Sequence, residues 1–87
     1  MFKRNRLGLG RIRSDEGFSV HYGHKSLYYS DERGTFEIGF EDEQLFPDSL
    51  RSTGTEIQLQ DSDKTLILNR MLQALEWDGH YVKIFAS

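Results

Sequence analysis

Three short runs between Phe18 and Glu41 alternate apolar and polar residues, and a turn signal separates each run from the next. A period of two sends successive side chains to opposite faces of a sheet, so a one-residue slip would expose every apolar residue of a strand. Phe18-Ser19-Val20-His21-Tyr22 and Lys25-Ser26-Leu27-Tyr28-Tyr29 flank Gly23-His24. A two-residue loop that begins with glycine suits a type II′ hairpin. It predicts Val20 opposite Leu27, Phe18 opposite Tyr29, His21 opposite Ser26 and Ser19 opposite Tyr28. Asp31-Glu32-Arg33-Gly34 supplies the next turn, acid first and glycine last. The run from Thr35 to Glu41 then alternates strictly, with Tyr29 predicted opposite Phe36 and Leu27 opposite Ile38. Both hairpins put their apolar residues on one face.

Beyond Glu41 the pattern changes. Residues 42–54 read as irregular, because Pro47 cannot donate to a ladder and Asp48, Ser49 and Gly54 favour turns. Leu45, Phe46 and Leu50 are expected to tuck under the body as a flap. Glu56-Ile57-Gln58-Leu59-Gln60 alternates as a fourth strand. Asp61 or Ser62 then caps a helix, in which Leu68, Met71, Leu72 and Leu75 recur at helical spacing beside Leu66, Ile67 and Ala74. Gly79 is a left-handed stop, and residues 80–85 alternate as a closing strand that returns parallel to the strand before the helix. Leu7 and Leu9 offer an additional edge strand within residues 6–13. The predicted fold class is α+β: an antiparallel meander of four to five strands, one helix packed on one face, and a C-terminal strand, in the order β-β-β-β-α-β. The other sheet face is left open and would display Ser19, His21, Ser26, Tyr28, Glu37, Gly39, Glu56 and Gln58.

A chain of 87 residues makes one domain and buries only about 60% of the surface its unfolded form exposes. It contains no cysteine, which excludes disulfides and thiolate metal sites. No apolar run approaches the roughly 18 residues a membrane span needs, and no signal-peptide stretch follows the basic start, so the expectation is a soluble, cytoplasmic domain without membrane attachment. The net charge of −3 conceals two unequal parts. Residues 1–13 sum to +5 through Lys3, Arg4, Arg6, Arg11 and Arg13, whereas residues 14–87 sum to −8. The organisation is thus a basic arm or edge strand over 1–13 and a single acidic domain over 14–87. The arm admits two readings, a phosphate-binding tail or a solvated terminus.

The side chains that carry chemistry do not assemble in the sequence. His21 and His24 straddle a turn and His80 lies far away, which leaves no four-ligand metal site. Asp61-Ser62-Asp63 begins like a calcium loop, but Leu66 stands where that loop needs glycine. Gly8-Leu9-Gly10 lacks the third glycine of a dinucleotide loop. Ser49, Ser52 and Ser62 have no nucleophile-elbow flanks. Glu37 and Glu41 share a strand face but lie about 13 Å apart, too far for paired-carboxylate hydrolysis. Trp77 and Tyr81 read as core edge with polar tips in water. No catalytic residue, metal or cofactor is assigned, and the reading is of a protein without enzymatic activity.

The hairpin Tyr22-Gly23-His24-Lys25-Ser26-Leu27, the helical run Leu66-Ile67-Leu68-Asn69-Arg70-Met71-Leu72-Gln73-Ala74-Leu75, Gly79 and the closing Tyr81-Val82-Lys83-Ile84 resemble small immunity proteins of bacterial polymorphic-toxin systems. The resemblance covers about three-quarters of the chain. It departs from members that carry a tryptophan before the fourth strand, since none lies between Glu41 and Gly54. It implies a non-catalytic protein that neutralises a cognate toxin in the cytoplasm, and it supplies no binding residue.

The leading expectation is therefore a protein-binding module whose acidic body meets a basic partner such as a nuclease toxin. Its candidate contacts are Tyr28, Glu37, Glu41, Asp42 and Glu43. The alternative is a nucleic-acid accessory protein that uses Lys3, Arg4, Arg6, Arg11 and Arg13. The predicted open face argues against that alternative, because Tyr28 lies beside Glu37 with few bases near it. A free sheet edge could equally serve a homodimer.

Overall fold

A computed structural model describes residues 2–4, 11–54 and 57–84. It contains one seven-stranded sheet with strands in sequence order. The strands are β1 (Phe2–Arg4), β2 (Ile12–Ser14), β3 (Ser19–Gly23), β4 (Ser26–Asp31), β5 (Gly34–Glu41), β6 (Gln44–Ser52) and β7 (Lys83–Ile84), and the helix α1 (Asp61–Trp77) lies between β6 and β7. The first six strands pair antiparallel. β7 returns parallel to β6, with Gln44 opposite Lys83 and Leu45 opposite Ile84. The α+β class, the one helix among the described residues and a closing strand follow the sequence reading, but that strand is shorter than the expected 80–85: residues 80–82 are irregular and Phe85 lies outside the described residues.

One sheet face is apolar. Ile12, Phe18, Val20, Leu27, Tyr29, Phe36, Ile38 and Leu45 are buried there with Ile67, Met71, Ala74 and Leu75 of α1. Met71 and Leu75 are core as expected. Leu68 and Leu72 are only partly buried and Leu66 is exposed, so the seated stripe runs through Ile67, Met71, Ala74 and Leu75. Trp77 lies at the core edge, 5.9 Å from the Phe2 ring. Tyr81, in contrast, is 92% exposed and takes no part in the core.

The β4–β5 register is the predicted one, with Tyr29 opposite Phe36, Leu27 opposite Ile38 and Ser26 opposite Gly39. The preceding hairpin differs. Its loop is His24-Lys25, with Lys25 in the left-handed region at φ 55°, and Val20 lies opposite Tyr29 and Tyr22 opposite Leu27. This two-residue shift preserves the faces, because the period is two. Gly23 stays in the strand, where a Cβ would run into the Tyr28 ring at Cε2. Its role is to make room for that ring.

The expected flap is strand β6, entered through a tight turn in which Asp42 and Glu43 both have positive φ, 53° and 60°. That is the twist a two-residue hairpin needs. Pro47 is accommodated by an irregularity: Gly39 pairs with Phe46 and Glu37 with Arg51, so the ladder slips between them. Ser49 Oγ accepts the Gly39 N–H at 2.7 Å and donates to the Phe46 carbonyl at 2.6 Å, standing in for missing ladder bonds. Of the fourth strand anticipated at 56–60, the described residues 57–60 form no strand. Residues 57–60 are irregular, because β6 already occupies the β5 edge, while Glu56 lies outside the described residues. The helix is capped at Gln60, one residue earlier than expected, and Gln60 N–H donates to Asp63 Oδ2 at 3.2 Å. Gly79 ends the helix at φ 90°.

Helix and sheet are also joined by a polar node. The Asp31 side chain is 2% exposed. Asp31 Oδ2 accepts the Tyr29 hydroxyl and Arg33 Nη1, each at 2.7 Å, and Arg70 of α1 donates to the Tyr29 oxygen at 2.9 Å. The Arg70 guanidinium lies 4.9 Å from the Phe18 ring centre. Removing one member of an enclosed ion cluster strands the others without compensation. Asp31→Ala is therefore expected to lower unfolding stability by about 3 kcal/mol in urea denaturation. Burial, and then the bond to Asp31, push the Tyr29 hydroxyl up to about 12. The folded protein holds this proton where the unfolded chain has lost it, so stability is full below about pH 10 and falls as pH rises towards 12. Thermal unfolding across that window is expected to show the loss in the native chain and a smaller one in Tyr29→Phe.

Candidate functional site on the open sheet face

The face away from α1 is set by the same alternation. Its central row is His21, Tyr28, Glu37 and Arg51, placed side by side by the β3–β4, β4–β5 and β5–β6 registers. The His21 and Tyr28 rings stack with centres 4.9 Å apart and planes 12° from parallel. Arg51 Nε and Nη2 both donate to Glu37 Oε1, at 3.0 and 2.7 Å. The Arg51 guanidinium, and then the Tyr28 hydroxyl, hold the Glu37 carboxyl below the ordinary carboxylate range. Burial, and then the charge of Arg11, push His21 below the usual imidazole value, so the stacked ring is neutral at pH 7.

Next to this row lies a groove of about 660 Å³. Ser26 and Gly39 form its small-residue dip, Tyr28, Glu37 and Arg51 line one wall, and Ser49 and Leu50 belong to the β6 irregularity. Groove and bulge share one cause, because Gly39 is small enough for Ser49 and Phe46 to close over the strand; a Cβ there would lie 3.1 Å from Ser49 Oγ. Sequence reading placed Ser26 beside Gly39, but it missed Arg51, Ser49 and Leu50, which it left in an irregular segment. Leu45 and Phe46 are consecutive apolar residues followed by Pro47, so no period of two marks a strand there.

The structure unites some of the expected contacts and separates others. Tyr28 and Glu37 are register partners at the centre of the face. Glu41 lies at the same face's end and pairs with Lys25 at 3.7 Å. Asp42 and Glu43 form the β5–β6 turn. Glu43 points to a different job: both its carboxylate oxygens lie within 2.9 Å of His80 Nδ1, and its carbonyl accepts Lys83 N–H at 2.8 Å. It therefore anchors the segment after the helix.

The basic segment is likewise divided. Arg6 lies outside the described residues, as do Leu7 and Leu9 of the expected additional edge strand. Arg4 closes β1, opposite Ile12. Lys3 is opposite Arg13, and Arg13 is opposite Ser19, which puts both cations on the open face. Arg11 precedes β2 on the same side, where its charge reaches His21. Lys3 thus lies on the edge strand β1 and Arg13 on its neighbour β2, with Arg11 just before it, on the face expected from the sequence to be poor in bases.

Among the described residues no three histidine or carboxylate side chains converge as a metal ion would need. No helix among them is long and apolar enough to cross a membrane. Comparison with protein-family models, with curated proteins and with solved structures finds no match.

The geometry yields a direct test of the Tyr28 position. Gly23→Ala places a methyl against the ring and is expected to turn it off His21, at a cost of about 1–3 kcal/mol for overpacking. Ring resonances of Tyr28 and His21 should both shift in NMR spectra, while those of Tyr29 on the opposite face stay in place.

Proposed function

We propose that this chain is a small non-catalytic protein-binding module of the immunity type, which neutralises a cognate basic toxin by docking it on the open sheet face. The observation that carries this reading is the one-sided sheet. Its apolar face is consumed by α1, and its other face offers a groove with an aromatic ring and an ionised carboxylate at the centre. Rings and charged groups in a shallow concavity are the features that dominate binding energy at protein interfaces. Glu37 is 19% exposed at its side chain and its partner Arg51 is 75% exposed, so a partner's basic side chain can exchange for Arg51 with little rearrangement. Glu41 and Asp42 extend negative charge from the groove to the end of the sheet. The resemblance to immunity proteins and a cytoplasmic setting belong to the same proposal.

The test is affinity purification of the native chain from its own cells, identification of what is retained, and calorimetric titration of that protein. A basic protein should bind, and Tyr28→Ala and Glu37→Lys should each cost about 2 kcal/mol of binding energy. Unchanged binding by both variants would reject this surface.

A further inference from the structure

The open face has a second region with its own chemistry. Lys3, Arg11 and Arg13 lie together at its β1–β2 end. None of them forms a salt bridge among the described residues, whereas Lys25, Arg33, Arg51 and Arg70 all do. Asp15, in the loop between β2 and β3, is the carboxylate that the charge of Lys3 reaches. A shallow depression of about 340 Å³ runs beside Arg11 and Arg13, with the small polar residues Ser19 and Ser30 among its lining. The next strands contribute the stacked pair His21 and Tyr28. Glu37 beyond them is already neutralised by Arg51.

We infer that Lys3, Arg11 and Arg13, with the adjacent His21–Tyr28 stack, form a binding strip for single-stranded nucleic acid, phosphates on the cations and a base continuing the ring stack. Cations tracking a backbone next to exposed aromatic rings are how flat protein surfaces hold single strands without reading sequence. From β1 to β4 the strip spans three strand spacings, about 14 Å, room for two or three nucleotides. A duplex presents its bases inside the helix and would leave the ring pair unused. The strip shares Tyr28 with the Glu37 groove, but its cations lie outside the groove lining, so the Lys3→Glu/Arg13→Glu reversal reads the strip and Glu37→Lys reads the groove.

The experiment is a fluorescence-anisotropy titration of the full chain against a labelled oligouridylate at low salt. Binding should weaken with salt, with a slope of about −2 in log affinity against log concentration for three phosphate contacts. The double reversal Lys3→Glu/Arg13→Glu should abolish that slope and the binding. Tyr28→Ala should lower affinity about tenfold, and Tyr28→Phe should retain it. Glu37→Lys, which removes the groove carboxylate, should leave oligonucleotide binding no weaker. These side chains are exposed or half-exposed, and unchanged melting curves would confirm that each variant is folded. Absence of binding at low salt would overturn the inference. So would binding indifferent to the reversal, equal affinity for a duplex with no loss in Tyr28→Ala, or retention by phosphatidylserine vesicles without oligonucleotide binding.

Discussion

The carboxylate of Asp31 is closed off from water, and Tyr29, Arg33 and Arg70 surround it with donors. Arg70 belongs to the helix and Tyr29 and Asp31 to a central strand. Hydrophobic burial is non-directional and would let the helix slide across the apolar face. The Tyr29–Asp31–Arg70 bonds have direction and fix where it sits. Arg33 extends the cluster to Asp63 in the first helical turn, at 3.6 Å. At the other end, the Tyr22 hydroxyl donates to Asp78 at 2.7 Å and His80 meets Glu43. The helix is thus pinned at both ends to the face that β3, β4 and β5 make apolar, which leaves the opposite face free.

That division also sorts the charge. Nine of the fourteen acids of this negatively charged chain lie on turns and on the helix: Asp15, Glu16, Glu32, Asp42, Glu43, Asp61, Asp63, Glu76 and Asp78. The cations of the first thirteen residues that can be placed by side chain, Lys3, Arg11 and Arg13, are on the open face. A net charge of −3 therefore describes neither surface. One end of the open face is cationic beside two stacked rings; towards the other, Arg51 engages Glu37 in the groove and Lys25 engages Glu41 at the end of the sheet.

The central meander was legible because a period of two is self-checking: Leu27, Tyr29, Phe36 and Ile38 had to agree on a face, and they do. Features that depend on tertiary neighbours were not. Gly23 looked like a turn residue, and only the Tyr28 ring explains it as a strand residue. Pro47 argued correctly against an uninterrupted ladder, but a bulge bridged by Ser49 lets β6 continue past it, and local propensity does not encode that rescue. The segment before the helix alternates like a strand, yet the sheet edge it needed was taken. Asp31 read as a turn acid, since nothing local shows that Arg70, 39 positions on, will reach it. Of the site, Tyr28, Glu37, Ser26 and Gly39 followed from parity alone. Arg51 and the placement of Arg11 and Arg13 required knowing which strands flank the meander.

The central claim is that the sheet is covered on one side only, and the absence of cysteine makes it directly measurable. Ser26 and Leu27 are consecutive and face opposite ways, Ser26 lining the groove and Leu27 fully buried beneath the helix. Maleimide labelling of native Ser26→Cys and Leu27→Cys, each scaled to its rate in denaturant, reads the two faces from adjacent positions. The account predicts near-denatured reactivity at Ser26 and a rate slower by about a hundredfold at Leu27, where reaction waits on opening of the core. Equal rates at the two positions, or protection of Ser26 alone, would contradict it.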